Sequence, residues 1–263
     1  MMKKKGVFLL FLLAACADVW EYSPKQKFDR DSPVGVNTQG VERILSTPGD
    51  DTVSFVFIGD AQRFYEEQEH FVAKVNTLPN LDFVIVAGDI ADFGLLQELE
   101  WAHSRLSKLK VPYLTVIGNH DIVGTGEQAF TRFYGPLNYS FTFLGYKFVF
   151  HNTNSKEYAT AIVPDMNWLA REVTDPQASY VVGVSHVAPF DADFARSLEM
   201  EYATLLRNQP NFLVSLHAHQ HRHSDGYPYQ DGVRYVVAHH FEAREFVHFK
   251  LINGQLIKTI QPF

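Results

Sequence analysis

The chain has 263 residues, 46% of them apolar, and a formal net charge of -7. This length and composition suffice for one substantial hydrophobic core and are marginal for two, so we predict a single domain. The negative charge excludes general nucleic-acid binding, which needs a basic surface facing the phosphates. The 22 phenylalanines favour a Phe-rich core, with a stacking platform for substrate as the alternative.

The first residues have the pattern of an export signal. Residues 3–5 are lysines, and residues 6–13 form an apolar stretch too short to span a bilayer. Small residues then precede Cys16, the only cysteine. This arrangement resembles a bacterial lipoprotein box in which Cys16 is lipidated, and the alternative is an ordinary cleaved signal with an incidental cysteine. We therefore predict an exported protein anchored to a membrane on its periplasmic or cell-surface side, with Ala17 favouring the outer membrane.

The next stretch separates this signal, residues 1–16, from the folded domain. Residues 17–50 are polar and rich in proline and glycine, which predicts a tether with a short strand near its end. From residue 51 onwards we predict the domain itself, 51–263. Apolar runs and helical spacing then alternate, predicting strands at 53–58, 83–87 and 113–117 and helices at 68–78 and 93–109. This alternation implies parallel strands joined by right-handed crossovers.

The second half of the chain is more antiparallel in character. Aromatic residues alternate with small polar ones from Tyr139 to Phe143, and Gly145 turns the chain back towards His151, which predicts a hairpin. Helices are predicted from Pro164 through Leu169 and at 194–206. The remaining predicted strands are 180–184, 212–216, 235–238, 246–251 and 256–260. Strands and helices in this proportion predict an α/β protein.

Four short polar clusters each follow an apolar run. They are Gly59-Asp60-Ala61-Gln62, Gly88-Asp89-Ile90-Ala91-Asp92, Gly118-Asn119-His120-Asp121 and His217-Ala218-His219-Gln220-His221. A separate His186 follows the strand predicted at 180–184. Carboxylate, amide and imidazole groups without thiolates suit two divalent ions held over a phosphate, and do not suit a structural zinc. In open α/β sheets the carboxyl ends of the strands collect such groups.

This series of motifs resembles the calcineurin-like metallophosphoesterase superfamily. Its pattern is Asp-x-His, Gly-Asp-x-x-Asp, Gly-Asn-His-Asp/Glu, a lone His and Gly-His-x-His; the second and third motifs are complete here, and the order is right. The resemblance implies an α/β/β/α sandwich of two mixed β-sheets flanked by helices, in a single domain. It also implies a metal-dependent phosphohydrolase that cleaves mono-, di- or pyrophosphate ester bonds by attack of a metal-bridging hydroxide.

The resemblance also implies a role for each position. Asp60, Gln62 and His221 would hold one metal ion. Asn119, His186 and His219 would hold the second ion, and Asp89 would bridge both. His120 would act on the scissile phosphate without binding metal, and Asp121 would orient its ring. Gly88 and Gly118 would let the backbone turn where a side chain would crowd the ions.

Two positions depart from the family pattern. Gln62 replaces the usual histidine. The amide oxygen of Gln62 favours Mn²⁺, with Fe, Zn, Co or Ni as alternatives. The same Asp-x-Gln variant occurs in branches of the superfamily that cleave nucleoside diphosphate derivatives. Ala218 replaces glycine in the last motif. An alternative register would use His217 and His219 as the ligand pair, but it would place the larger Leu216 at the glycine position.

Three functional hypotheses follow. The first is a dinuclear phosphoesterase that acts on a small-molecule phosphate ester and contacts the membrane through its lipid anchor. The second is a catalytically silent surface-binding lipoprotein that retains the fold, and the third is a metal-scavenging protein that uses the histidine tract. The complete set of ligand positions favours the enzyme, because silent relatives lose several of them. His239 and His240, which follow a predicted strand, are further candidates to approach the site.

Overall fold

The computed structural model describes residues 27–160 and 162–263. Cys16 and the predicted export signal lie outside these residues. Within them, no helix is long and apolar enough to cross a membrane.

The strands are β1 (Val53–Ile58), β2 (Phe83–Val86), β3 (Tyr113–Thr115), β4 (Tyr139–Phe143), β5 (Tyr146–Phe150), β6 (Tyr180–Val184), β7 (Phe212–His217), β8 (Ser224–Gly226), β9 (Tyr235–Val237), β10 (Glu245–Ile252) and β11 (Gln255–Pro262). The α-helices are α1 (Val36–Ser46), α2 (Tyr65–Val75), α3 (Leu96–Leu106), α4 (Gly126–Tyr134), α5 (Met166–Val173) and α6 (Arg196–Arg207).

The strands form two mixed sheets. The first has the order β11-β10-β1-β2-β3, and the second has the order β4-β5-β6-β7-β9-β8. Strands β1, β2 and β3 are parallel, as the alternation of strand and helix predicts. In the second sheet β5, β6, β7 and β9 are also parallel, and only the pairs β4–β5 and β8–β9 are antiparallel. With the antiparallel pairing of β10 to β1 and β11, the second half of the chain is more antiparallel than the first, as predicted, although the centre of the second sheet is parallel.

Both faces of the central strands are buried, and alternate residues therefore enter different layers. In β1, Phe55 and Phe57 pack between the two sheets, whereas Val56 and Ile58 face the layer of α2, α3 and α4. In β5, Phe148 faces the first sheet and Val149 faces the layer of α5 and α6. The α/β/β/α sandwich predicted from the resemblance is confirmed.

Phenylalanine rings fill the space between the sheets. Phe55 stacks on Phe83 with centroids 5.4 Å apart, and meets Phe148 edge-on at 5.5 Å. Each of these rings is fully buried, and burial of one such side chain contributes about 1.5–3 kcal/mol. The prediction of a Phe-rich core is confirmed by these contacts.

Helix α1 lies within the stretch predicted as a tether with a short strand. It packs beside β3 and the α4 helix, and Ile44 reaches the core between the sheets. Gly40 permits this approach, because a Cβ there would meet Leu114 Cδ2 at 2.8 Å. The glycine that suggests a flexible segment in the sequence is instead a close-packing position inside a helix.

Candidate metal centre and active site

The predicted site residues converge at one edge of the sandwich. Asp60 follows β1, Asp89 follows β2 and Asn119 follows β3, while His186 follows β6 and the pair His219 and His221 follows β7. Strands β1, β2 and β3 are parallel in the first sheet, and β6 and β7 are parallel in the second. The side chains that follow these five strands meet across the two sheets, so the carboxyl ends of the strands lie at one edge. The topology thus brings together side chains that are up to 161 positions apart in the chain (221 − 60).

Two groups of side chains in this cluster have the spacing of metal ligands. The ligand atoms of Asp60, Asp89 and His221 lie within 4.8 Å of one another, and so do those of Asp89, His186 and His219. Asp89 belongs to both groups, which is the position that a bridging carboxylate requires. Asn119 completes the second group, because its Oδ1 lies 2.9 Å from His219 Nδ1 and 3.2 Å from His186 Nε2.

In the first group, buried oxygen atoms that accept no hydrogen bond indicate a cation site. Both carboxylate oxygens of Asp60 and the Oε1 atom of Gln62 are buried and have no hydrogen-bond partner among the described residues. The His221 Nε2 atom lies 3.4 Å from Asp60 Oδ1, too far for a strong hydrogen bond. Buried acceptors are almost always paired, so three orphaned oxygens in one place are explained by a cation that binds there. The donor set at this position therefore fits a divalent metal ion.

The electrostatics of the second group also favour positive charge. His186 Nδ1 lies 2.7 Å from the Ala87 carbonyl oxygen, to which it donates, so Nε2 faces Asp89 Oδ2 at 3.3 Å. Burial opposes a charge on His186, but the Asp89 carboxylate outweighs it and raises the pKa of His186 to about 9. A cation at this point, whether a proton or a metal ion, is therefore stabilised by the carboxylates around it.

His219 meets the requirement for a neutral ligand. Burial lowers its pKa, as does the neighbouring His186, and the neutral imidazole is the form that binds metal.

Four of the predicted ligands have strained backbones. Asp60, Asp89, His219 and His221 have φ values of 51°, 51°, 70° and 51°. Non-glycine residues rarely adopt this left-handed conformation, which costs about 1–3 kcal/mol and concentrates at functional sites. The fold therefore maintains strain at the residues that point their side chains into the cluster.

Glycines 88 and 118 leave room for the ligands themselves. A Cβ on Gly88 would meet His186 Nδ1 at 2.5 Å, and a Cβ on Gly118 would meet Asp89 Oδ1 at 2.0 Å. Of these two glycines, Gly88 is the one with a positive φ, of 85°. The sequence predicts crowding of the ions at these positions, and the structure shows that a side chain would collide with the proposed ligands.

The ring of His120 contacts Asp92, not Asp121. His120 Nδ1 lies 2.9 Å from the Asp92 carbonyl oxygen and 3.5 Å from its carboxylate, which also binds Arg63. The predicted orienting role of Asp121 is therefore wrong. Asp92 is the second aspartate of the Gly-Asp-x-x-Asp motif, so the sequence did contain the signal for this partner.

Asp121 instead holds the backbone that carries the site. Its carboxylate accepts hydrogen bonds from the backbone N–H groups of Ile90, Ala91 and Gly118, at 2.9, 2.7 and 2.8 Å. Burial and the charge of Asp89 raise the pKa of Asp121, against the pull of the Ala91 and Gly118 N–H donors. Asp121 thus ties the loop after β2 to the loop after β3, and fixes Asp89 relative to Asn119.

Replacing Asp121 with alanine is expected to destabilise the fold. Three buried N–H groups would lose their acceptor, and each such loss costs about 1–3 kcal/mol, so we expect a total of about 3 kcal/mol or more. Urea denaturation followed by circular dichroism measures the change. Asp121→Asn, which keeps one oxygen acceptor, should lose less. Equal stability of the alanine variant and the wild type would contradict this structural role.

The histidine tract divides into three environments. His217 lies in β7, is fully buried, and its Nδ1 lies 2.9 Å from Ser185 Oγ; it belongs to neither ligand group. His221 stacks on His240 with ring centroids 5.2 Å apart, and His223 stacks on His239 at 4.4 Å. His240 therefore does approach the site, as a neighbour of a proposed ligand.

Ala218 is accommodated by Gly59, which follows β1 in the other sheet. Its side chain is fully buried, and a Cβ on Gly59 would meet the Ala218 Cβ at 2.4 Å. The extra methyl group of Ala218, which departs from the family glycine, occupies the space that Gly59 leaves open.

A sequence model described as calcineurin-like phosphoesterase matches residues 53–223. Among curated proteins, a probable cyclic nucleotide phosphodiesterase from Xenorhabdus bovienii is 31% identical over 51 residues, which is 19% of this chain and 21% of that protein. The chain thus matches about a fifth of the length of this curated relative.

Solved structures share the fold at low sequence identity. A dimetal phosphatase from Danio rerio has a TM-score of 0.66 at 13% identity, with 80% of this chain and 96% of that chain covered. A Plasmodium protein described as the anchor in the inner membrane complex has a TM-score of 0.62 at 14% identity, with coverages of 80% and 84%. A purple acid phosphatase from yellow lupin has a TM-score of 0.61 at 11% identity, with coverages of 82% and 52%.

Proposed function

Because the chain belongs to the calcineurin-like phosphoesterase family, we propose that it hydrolyses phosphate esters with two divalent metal ions. The observation that carries this proposal is the pair of ligand groups that share Asp89. Asp60, Gln62 and His221 would hold one ion with Asp89, and Asn119, His186 and His219 would hold the other with Asp89. When bound, the ions supply charge neutralisation at the phosphate and activation of a water molecule for attack.

His120 is the proposed acid for the leaving group. Its Nδ1 is occupied by the Asp92 carbonyl oxygen, and its side chain is 37% exposed, so the other ring nitrogen is accessible to substrate. A histidine held in this way can protonate the oxygen that departs from phosphorus. Asp92 fixes the orientation of the ring and, together with Arg63, connects it to the loop after β1.

The chemistry of Gln62 supports Mn²⁺ as the first metal to test, because an amide oxygen is a harder ligand than imidazole. A phosphodiester is the first substrate class to test, since the curated relative is described as a phosphodiesterase. Monoesters and the phosphoanhydrides of nucleoside diphosphate derivatives are the other two classes.

We further propose that the protein is exported and anchored to a membrane through lipid on Cys16. The support is the basic segment, the short apolar stretch and the small residues before the cysteine. Mass spectrometry of the membrane-extracted protein tests this directly. An intact N-terminal methionine on the mature chain would reject both cleavage and lipidation.

The test of the catalytic proposal is a hydrolysis panel on full-length protein in detergent with Mn²⁺, in which the alcohol, monoester and phosphate products are separated by chromatography. It covers a monoester, a diester and a nucleoside diphosphate ester, with His120→Ala prepared in parallel as a control for contaminating phosphatases. We expect turnover of at least one class that EDTA removes and Mn²⁺ restores. Two bound ions without turnover of any class would instead favour the catalytically silent lipoprotein.

A further inference from the structure

A carboxylate pair lies directly behind the proposed ligand His219, on the side away from Asn119. His219 Nε2 lies 3.3 Å from Asp193 Oδ2 and 3.8 Å from Asp191 Oδ1. The other ring nitrogen, Nδ1, lies 2.9 Å from Asn119 Oδ1. The imidazole is therefore held between the ligand cluster on one side and two carboxylates on the other.

Each of the two carboxylates is itself anchored on its outer oxygen. Lys156 Nζ donates to Asp193 Oδ1 at 2.6 Å, and Gln220 Nε2 donates to Asp191 Oδ2 at 2.8 Å. The backbone N–H of Asp193 also donates to Asp191 Oδ1 at 2.9 Å. These contacts fix the carboxylates so that the remaining oxygen of Asp193 faces the ring of His219.

The backbone of His219 is itself in a rarely populated conformation. Its φ of 70° lies in the left-handed region, so the local chain conformation does not by itself favour this residue. A histidine that binds metal through one nitrogen must carry its proton on the other, and a carboxylate at that second nitrogen selects this tautomer. Asp193 Oδ2 is the nearer of the two carboxylate oxygens to this second nitrogen, at 3.3 Å, and it faces that proton.

We propose that Asp193, supported by Asp191 and Lys156, is a positioning residue that fixes the ring and tautomer of His219 for metal binding. This inference rests on the proposed function only in assigning His219 to a metal ion. None of the three residues belongs to the family motifs; Asp191 and Asp193 lie in the loop after β6, and Lys156 lies in the segment after β5. Loss of such an outer partner typically lowers metal affinity about 10–100-fold.

The test measures Mn²⁺ binding by isothermal titration calorimetry on full-length Asp193→Ala, without substrate. We expect one of two ions to bind about 10–100-fold more weakly and the other to change by less than about twofold. Asp193→Asn, which keeps an oxygen acceptor, should recover most of the affinity.

Asp175→Ala provides a matched control. Asp175 also pairs with a lysine, Lys147, at 2.8 Å, and its side chain is 30% exposed, compared with 29% for Asp193. It lies at the opposite end of the strands, beside the first residues of β5 and β6. Its replacement removes the same charge and should leave both Mn²⁺ affinities unchanged.

Three other outcomes each overturn the inference. Asp191, Asp193 and His219 have the spacing of a separate cation site. If the wild type bound three ions and Asp193→Ala lost one of them while binding the other two normally, these three residues would be ligands of a third ion. Unchanged Mn²⁺ binding in Asp193→Ala would reject positioning, as would the absence of Mn²⁺ binding in the wild type. Wild-type protein that binds two ions but hydrolyses no ester would reject the proposed function alone.

Discussion

Replacing Asp89 with asparagine is expected to remove both metal ions and nearly all phosphoesterase activity. Asp89 belongs to both ligand groups, and its Oδ1 also accepts the His120 backbone N–H at 3.0 Å. The isosteric amide removes the charge that balances two cations. Metal ions contribute several kcal/mol to catalysis, so turnover should fall by at least about 10³.

Comparison with Asn119→Ala shows whether Asp89 is a ligand that both ions share. Asn119 contacts only the second group, through His186 and His219. Its replacement should weaken one ion and leave the other, whereas Asp89→Asn should weaken both in the same titration. Metal content measured by plasma mass spectrometry, with circular dichroism to verify folding, distinguishes the two patterns. Retention of one tight ion in Asp89→Asn would show that Asp89 does not bridge.

Replacing His120 with alanine is expected to separate catalysis from metal binding. The ring contacts Asp92 and belongs to neither ligand group, so both ions should remain. Loss of a general acid typically lowers the rate about 10²–10⁴-fold. Steady-state kinetics with Mn²⁺ at saturation gives the rate, and plasma mass spectrometry on the same sample gives the metal content.

The leaving group provides a control for this assignment. A substrate whose leaving group is a good one, such as a nitrophenolate, needs little protonation and should lose much less rate in His120→Ala than an alkyl ester does. Metal content that falls together with the rate would contradict the division of roles between His120 and the ligands.

The sequence predicts the position of the site well, because the ligands follow short apolar runs of the length typical of buried strands. Asp60, Asp89 and Asn119 each come directly after such a run. Parallel strands place these ends at one edge, so the neighbourhood follows from topology alone. The motif order and spacing then indicate which residues converge, without any knowledge of side-chain direction.

What the sequence does not predict depends on packing between distant elements. Asp92 and Asp121 both lie within motifs, but which carboxylate reaches the His120 ring depends on how the loops after β2 and β3 meet. Helix α1 escapes prediction because Gly40 suggests a turn, although its small size serves contact with Leu114. Asp193 lies in a loop outside every motif, and only the fold brings it to His219.

The local sequence pattern also does not predict the direction of the strands in the second sheet. The hairpin of β4 and β5 is predicted by alternation and by Gly145, since both strands and the turn are contiguous. The parallel pairing of β6 with β7 depends on α6, which carries the chain back across the sheet. A short apolar strand has the same composition in either direction, so its partner is set by the layers around it.

The most direct measurement is anomalous diffraction at the manganese edge from crystals of the protein grown with Mn²⁺. We predict two peaks, one contacted by Asp60 and His221 and the other by His186 and His219, with Asp89 touching both. A single peak, or ions bound at positions that do not share Asp89, would contradict the dinuclear centre on which the proposed function depends.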